Sequence, residues 1–232
     1  MASHSQVWVV VPTYNEAPVV GDVLRGLLAV FPQVVAVDDG STDGSGDAIR
    51  KAGARLVTHP INMGAGAALQ TGIDYALRDP NMRTVVTFDA DGQHRVEDAV
   101  GMVEYLSSRD LDVVIGSRFL GSEAVNMPAS KRRLLKVATV FEKLTSGVKL
   151  TDAHQGLRAF NRGFAHKLQM RTPDMGWASE FLSRIQETEA RFEEYPVSVE
   201  YSEYSRAKGQ RSINSVNIGI DVLINRLLRG HR

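Results

Sequence analysis

Asp89 and Asp91 are the residues of this 232-residue chain whose types and spacing point most directly to chemistry. They stand at i and i+2, just past a short apolar run that begins at Thr84. Two hard carboxylate oxygens at such a point suit Mg2+ or Mn2+, which keeps its other positions for water and phosphate. Without a cation, two carboxylates so close would repel each other. Gln93 and His94 follow as further donors. Zinc is disfavoured, because the chain has no cysteine and its six histidines are scattered. Two more clusters share this look: Pro12-Thr13-Tyr14-Asn15-Glu16, and the run from Asp38 and Asp39 through Gly40, Ser41, Thr42 and Asp43 to Gly44. Each alone is compatible with an ordinary turn. The segment from Asn62 to Gly66 opens a helix whose N–H groups can face phosphate, with a simple tight turn as the alternative. It lacks the third glycine of a dinucleotide fingerprint, and no GxxxxGK[ST] loop is present.

The elements that must position these clusters follow from the apolar periodicity. Val7 to Val11 reads as a strand that stops at Pro12, and Ala17 to Phe31 as a helix with Val20, Val23, Leu24, Leu27 and Leu28 on one side. Val34 to Val37 is a second strand. Asp43 is placed to cap a helix that runs to Lys51 and ends at Gly53. Strands are expected at Arg55 to Thr58, Thr84 to Phe88 and Asp112 to Ile115, with helices at Gly64 to Leu77 and Val96 to Leu106. Such alternation implies right-handed βαβ units and a mainly parallel, Rossmann-like α/β sheet flanked by helices. Ligands bind such sheets beyond the carboxyl ends of the strands, where the three acidic clusters fall. After Gly116 the pattern changes. A loop (Gly121 to Pro128), a helix (Ala129 to Thr145), a strand (Leu157 to Phe160), a helix (Ala178 to Glu189) and an extended stretch (Arg191 to Tyr201) are expected. A basic loop from Ser202 to Arg211 and a last helix from Ile213 to Leu228 follow. There are no repeats, no low-complexity tract and no clear linker, so one domain is expected.

The composition, 43% hydrophobic and 23% charged, excludes a disordered chain. The net charge of zero conceals an asymmetry. Residues 1–116 hold eight basic and 15 acidic residues, and residues 117–232 hold 19 basic and 12 acidic. An acidic half fits metal binding, and a basic half fits an anionic partner. Nucleic acid is not the expected partner, since no recognised module is present and the acidic half repels phosphate chains. The start, MASHSQ, lacks the order of a signal peptide, and no apolar stretch approaches the ~20 residues of a membrane span. The absence of cysteine fits a reducing cytoplasm.

In order and spacing, VVVPTYNE, VDDGSTDGS, NMGAGAALQTGI and FDADGQH resemble glycosyltransferase family 2 with the GT-A fold. GSRF at 116–119, the basic helix from Ser130, TDAHQGLRAFNR at 151–162 and YSEYSRAKGQ at 201–210 resemble its polyprenyl-phosphate glycosyltransferases, the group typified by dolichyl-phosphate mannose synthase, in a short form without transmembrane helices. The likeness runs from residue 7 to 212. It implies a nucleotide- and metal-binding half (7–116), an acceptor-binding half (117–212), a disordered start (1–6) and a C-terminal amphipathic helix (213–232). Pro12, Tyr14, Glu16, Gly64 and either Asp38 or Asp39 would hold the nucleotide. Asp89 would lie near ribose and metal, Asp91 would ligate the metal, and Gln93 would stand beside it. Arg118, Arg132 or Arg133, and Arg206 would contact phosphates of donor and acceptor. In the final motif, Arg206 and Gly209 match the pattern R-x-x-G-x-S-K, but Arg211 stands at the expected serine.

The reaction implied is one in-line, inverting displacement from a nucleotide-diphosphate sugar, UDP favoured over GDP, onto polyprenyl phosphate for cell-envelope glycans. A lipid phosphate is already anionic and requires no strong base, whereas a sugar hydroxyl requires one. Asp152, Asp174 and Glu180 are the base candidates, with a structural role for Glu180 as the alternative. The other readings are transfer onto a sugar hydroxyl and a non-catalytic nucleotide-binding scaffold. The four cations between Ser130 and Lys136, and the last helix, suit peripheral contact with the inner face of the plasma membrane. The last helix suits the core or a partner equally. The short subgroup also resembles proteins that work with a small membrane partner.

Overall fold

Seven strands form the central sheet of the computed structural model, which describes residues 4–120, 124–125, 148–153, 155–172, 176–200 and 204. They are β1 (Val7–Thr13), β2 (Gln33–Asp38), β3 (Arg55–Thr58), β4 (Thr84–Thr87), β5 (Val113–Ser117), β7 (Arg158–Asn161) and β8 (Phe192–Pro196). Their order is β3-β2-β1-β4-β7-β5-β8. β7 runs antiparallel between β4 and β5, and every other neighbouring pair is parallel. A two-stranded ladder of β6 (Ala124–Val125) and β9 (Val199–Glu200) lies apart, so the stretch expected to be a loop at 121–128 contains a short strand.

Alternation along β1 divides the core. Val7, Val9 and Val11 pack with Leu24, Leu27, Ile49, Met102 and Val103, which come from α1 (Val20–Leu28), α2 (Ser45–Ala52) and α4 (Val96–Ser108). Trp8 and Val10 face Leu69, Ile73, Phe164 and Phe181, from α3 (Ala65–Leu77), α5 (Arg162–Lys167) and α6 (Trp177–Glu187). Both faces of the sheet are thus covered, as its near-continuous apolar strands require. α3 lies so close to β1 that a Cβ at Gly72 would stand 2.2 Å from Val10 Cγ1.

β1 continues through Pro12, where the sequence pattern placed its end. Pro12 pairs in register with Val37 of β2, while the pairing with β4 ends at Val10, so no ladder on that side needs the missing N–H. Helix α1 begins three residues later than the periodicity implied, because 17–19 form a turn in which Glu16 O accepts from Val19 N and Val20 N. Structure starts before residue 7. His4–Gln6 form one 3-10 turn, with the His4 ring 5.2 Å from Phe31, so the expected disorder does not extend over 4–6. The unit described ends at Glu200, and residues 201–232 group separately. The expected helices at 129–145 and 213–228 lie outside the described residues, as does all of the 202–211 loop except Tyr204.

Candidate functional site

Two loops at the carboxyl edge of the sheet, after β1 and β2, are tied together by their own polar groups. Asn15, held at φ 53, donates from its N–H to Ser41 Oγ and accepts from Thr42 N at its side-chain oxygen. Glu16 N donates to Ser45 Oγ, and Ala17 N donates to Asp43 Oδ2. Asp43 also receives Ser45 N at the start of α2, one residue before the cap position that Gly44 takes in the left-handed region. Tyr14 stands out from this edge, 44% exposed, while Glu16 is buried.

The adjacent aspartates Asp38 and Asp39 separate in role. Asp39 is buried and accepts from Met63 N and Gly64 N at 2.8 Å each and pairs with His59 Nδ1 at 2.7 Å. Its carboxylate thus engages the two N–H groups that precede α3, Gly64's among them. Asp38 accepts from Ser41 N at Oδ1, and its Oδ2 lies against Gly46, where a Cβ would be 2.8 Å away.

Past β4 the chain turns through Phe88, Asp89, Ala90, Asp91 and Gly92, the last at φ 74. The Asp89 side chain is 42% exposed, and its Oδ2 is 3.0 Å from His94 Nε2. Burial works to raise its pKa, but the hydrogen bond from His94 and the charges of His94, Arg158 and Arg118 hold it below the ordinary carboxylate range. Asp91 responds the other way: burial, the neighbouring Asp89 charge and Glu16 push it up to about 6. Gln93 donates its backbone N–H (3.1 Å) and side-chain amide (2.6 Å) to Asp91. Gln93 thus holds Asp91 with both its backbone and its side-chain amide. Two carboxylates at the end of a strand, one with its pKa raised by the charge of the other, form a donor set whose repulsion a divalent cation would relieve. Among the described residues no group of three or more His, Cys, Asp or Glu side chains is arranged to hold a metal ion.

Arg118 follows β5 and is 8% exposed. Its Nε and Nη2 lie 2.5 and 2.7 Å from Asp152, and its N–H donates to the same carboxylate at 3.1 Å. Asp152 is wholly buried with both oxygens on Arg118. Its carboxylate is thus engaged as the counter-ion of Arg118. Glu180 accepts from Arg171 N and Thr172 N at 2.8–2.9 Å. Despite burial, these bonds hold its pKa down, which fits the structural reading of this residue. Asp174, Arg132, Arg133 and Arg206 lie outside the described residues.

The model for glycosyl transferase family 2 matches residues 8–169, a span that includes all three loops, Arg118 and Asp152. The chain belongs to glycosyltransferase family 2. An uncharacterized protein of Methanocaldococcus jannaschii, MJ1222, is 32% identical over 226 residues, 96% of this chain and 93% of that protein. The UDP-N-acetylglucosamine–dolichyl-phosphate N-acetylglucosaminyltransferase of Methanococcus voltae is 27% identical, covering 96% and 95%. The undecaprenyl-phosphate mannosyltransferase of Micrococcus luteus is 31% identical over 67% of this chain and 66% of that one. Glucosyl-3-phosphoglycerate synthase from Mycobacterium tuberculosis superposes with a TM-score of 0.65 at 16% identity, over 86% of this chain and 72% of that one. Its complex with Mn2+, UDP and glucosyl-3-phosphoglycerate gives 0.61 at 20%, over 84% and 71%. At that identity the likeness concerns the fold, which is GT-A.

For this family 2 glycosyltransferase, sequence reasoning missed one residue. Arg158 lies wholly buried in β7, inside the quoted motif TDAHQGLRAFNR, and nothing in its spacing distinguished it from a surface cation. His94 was noted only as a further donor, and its place as the partner of Asp89 comes from the turn at Gly92. Among the described residues no helix is long and apolar enough to cross a membrane.

Proposed function

We propose that this glycosyltransferase moves a sugar from a nucleotide-diphosphate sugar, UDP favoured, to a polyprenyl phosphate with inversion at the anomeric carbon, in a divalent-metal-dependent reaction. The observation that carries the proposal is the Asp89–Asp91 pair at the end of β4, with Asp91 raised to about 6 beside an ionised Asp89. A bound Mg2+ or Mn2+ supplies positive charge where the departing diphosphate gathers negative charge. Asp89 and Asp91 would hold it, with Gln93 and His94 bonded to the two carboxylates. Tyr14, Glu16 and Asp38 border the proposed nucleotide site. Arg118, with Arg132, Arg133 and Arg206, is assigned to the phosphates.

An anionic acceptor is favoured by what Asp152 and Glu180 do. Both described candidates for a general base are engaged within the protein, one by Arg118 and one by the 171–172 backbone. A phosphate oxygen attacks without a proton being removed, whereas a sugar hydroxyl requires a base. The names of the Methanococcus and Micrococcus relatives, both transferases to polyprenyl-type phosphates, support the same acceptor. Peripheral membrane contact through residues 130–136 and 213–232, at the cytoplasmic face, belongs to the same proposal. A thermal-shift screen of UDP- and GDP-sugars with and without Mn2+ tests the donor side. Stabilisation by a UDP-sugar only with Mn2+ is the expected result, and none with any nucleotide would count against the reading.

A further inference from the structure

Arg158 is the largest side chain that the described fold buries completely. Its guanidinium carbon lies 4.4 Å from the Trp177 ring centroid and 4.3 Å from that of Phe181, both on α6. Nε donates to Gln155 O at 3.0 Å, and Nη2 reaches Ala153 O at 3.4 Å. Burying an arginine is costly, and an aliphatic side chain would fill a core position at less expense in desolvation. What the guanidinium adds is a planar fork that stacks on aromatic rings while bonding two carbonyls of one turn.

The residues flanking these carbonyls touch both proposed site groups. Asp152 holds Arg118. Gly156 backs the Asp89 carboxylate so closely that a Cβ there would lie 2.3 Å from Oδ2, and Gly156 O accepts from Thr87 Oγ1 at the end of β4 at 2.7 Å. We infer that Arg158 is a positioning residue: by bonding Ala153 O and Gln155 O, it fixes Gly156 behind Asp89 and Asp152 behind Arg118. The inference rests on the metal-binding reading of Asp89 and Asp91. Its positive charge also acts on Asp89, in the same direction as His94.

The test measures Mn2+ binding to the full chain with UDP present, by the paramagnetic signal of free Mn2+, alongside Tm. R158M removes the fork, R158K keeps the charge without it, and F164L loosens the same aromatic cluster away from the site. R158M is expected to weaken Mn2+ binding about tenfold or more, the usual scale for losing a residue that orients a metal ligand. R158K is expected to lose about threefold or more, and F164L to stay within about twofold at a comparable loss of Tm. R158M binding Mn2+ within about twofold of the unaltered chain would overturn the inference, as would an equal loss in F164L. Should R158M fail to fold, R158K decides on the same twofold limit. If the unaltered chain binds no Mn2+, the proposed function itself fails, and this inference falls with it. If that chain binds and R158M binds equally, only this inference falls.

Discussion

Replacing Asp91 by asparagine separates the two things its carboxylate does. The charge beside Asp89 disappears, so the fold is expected to hold its Tm or gain slightly. Sugar transfer is expected to fall about 100-fold or more, a loss of roughly 2.7 kcal/mol of transition-state stabilisation. Activity within a few-fold of the original would remove Asp91 from the metal site. The pH dependence has a definite sign. Asp91 is raised from 3.8 to about 6 by burial and by Asp89. In the metal-free protein the protonated form is therefore favoured by folding. That contribution is complete below the unfolded value and disappears as pH rises through about 6. A cation competes with this proton, so Mn2+ affinity measured by calorimetry should fall as pH drops below about 6 and level off above it. An affinity independent of pH across that range would contradict the assignment.

At the scale of elements, two glycines make opposite kinds of demand. G72A would press a Cβ to 2.2 Å from Val10, forcing α3 off β1, and should cost about 1–3 kcal/mol of stability with little change in metal affinity. G156A would strike the Asp89 carboxylate and should lower Mn2+ affinity more than Tm. Equal effects of the two on metal binding would argue against a special role for the 153–156 turn. The strands were largely legible in the sequence because buried parallel strands read as bare apolar runs, as Val7 to Val11 and Val34 to Val37 do. Direction was not legible in β7: its short run looks the same parallel or antiparallel, and only its pairing with both β4 and β5 decides. The positions of Asp89 and Asp91 at a strand end followed from local pattern. The engagement of Asp39 by the 63–64 backbone, of Asp152 by Arg118 and of Arg158 by α6 did not, since each joins residues far apart in sequence.

For the whole molecule, the acidic half and the basic half divide the work proposed here. The sheet's carboxyl edge gathers the carboxylates, and the cations concentrate after residue 116. Each basic residue near an anionic leaflet contributes about 1 kcal/mol, so R132E/R133E should reduce flotation with anionic liposomes severalfold and leave Mn2+ binding intact. Unchanged flotation would move the membrane contact elsewhere on the chain. The central claim is that Asp89 and Asp91 hold a divalent cation that serves sugar transfer to a lipid phosphate. The most direct measurement incubates the protein with undecaprenyl phosphate, Mn2+ and a panel of radiolabelled UDP- and GDP-sugars, then counts label in the organic phase. A lipid-linked sugar formed from at least one UDP-sugar, and abolished both by EDTA and by D91A, is the expected result. Label that stays aqueous with every donor, or lipid product that survives EDTA and D91A undiminished, would contradict it.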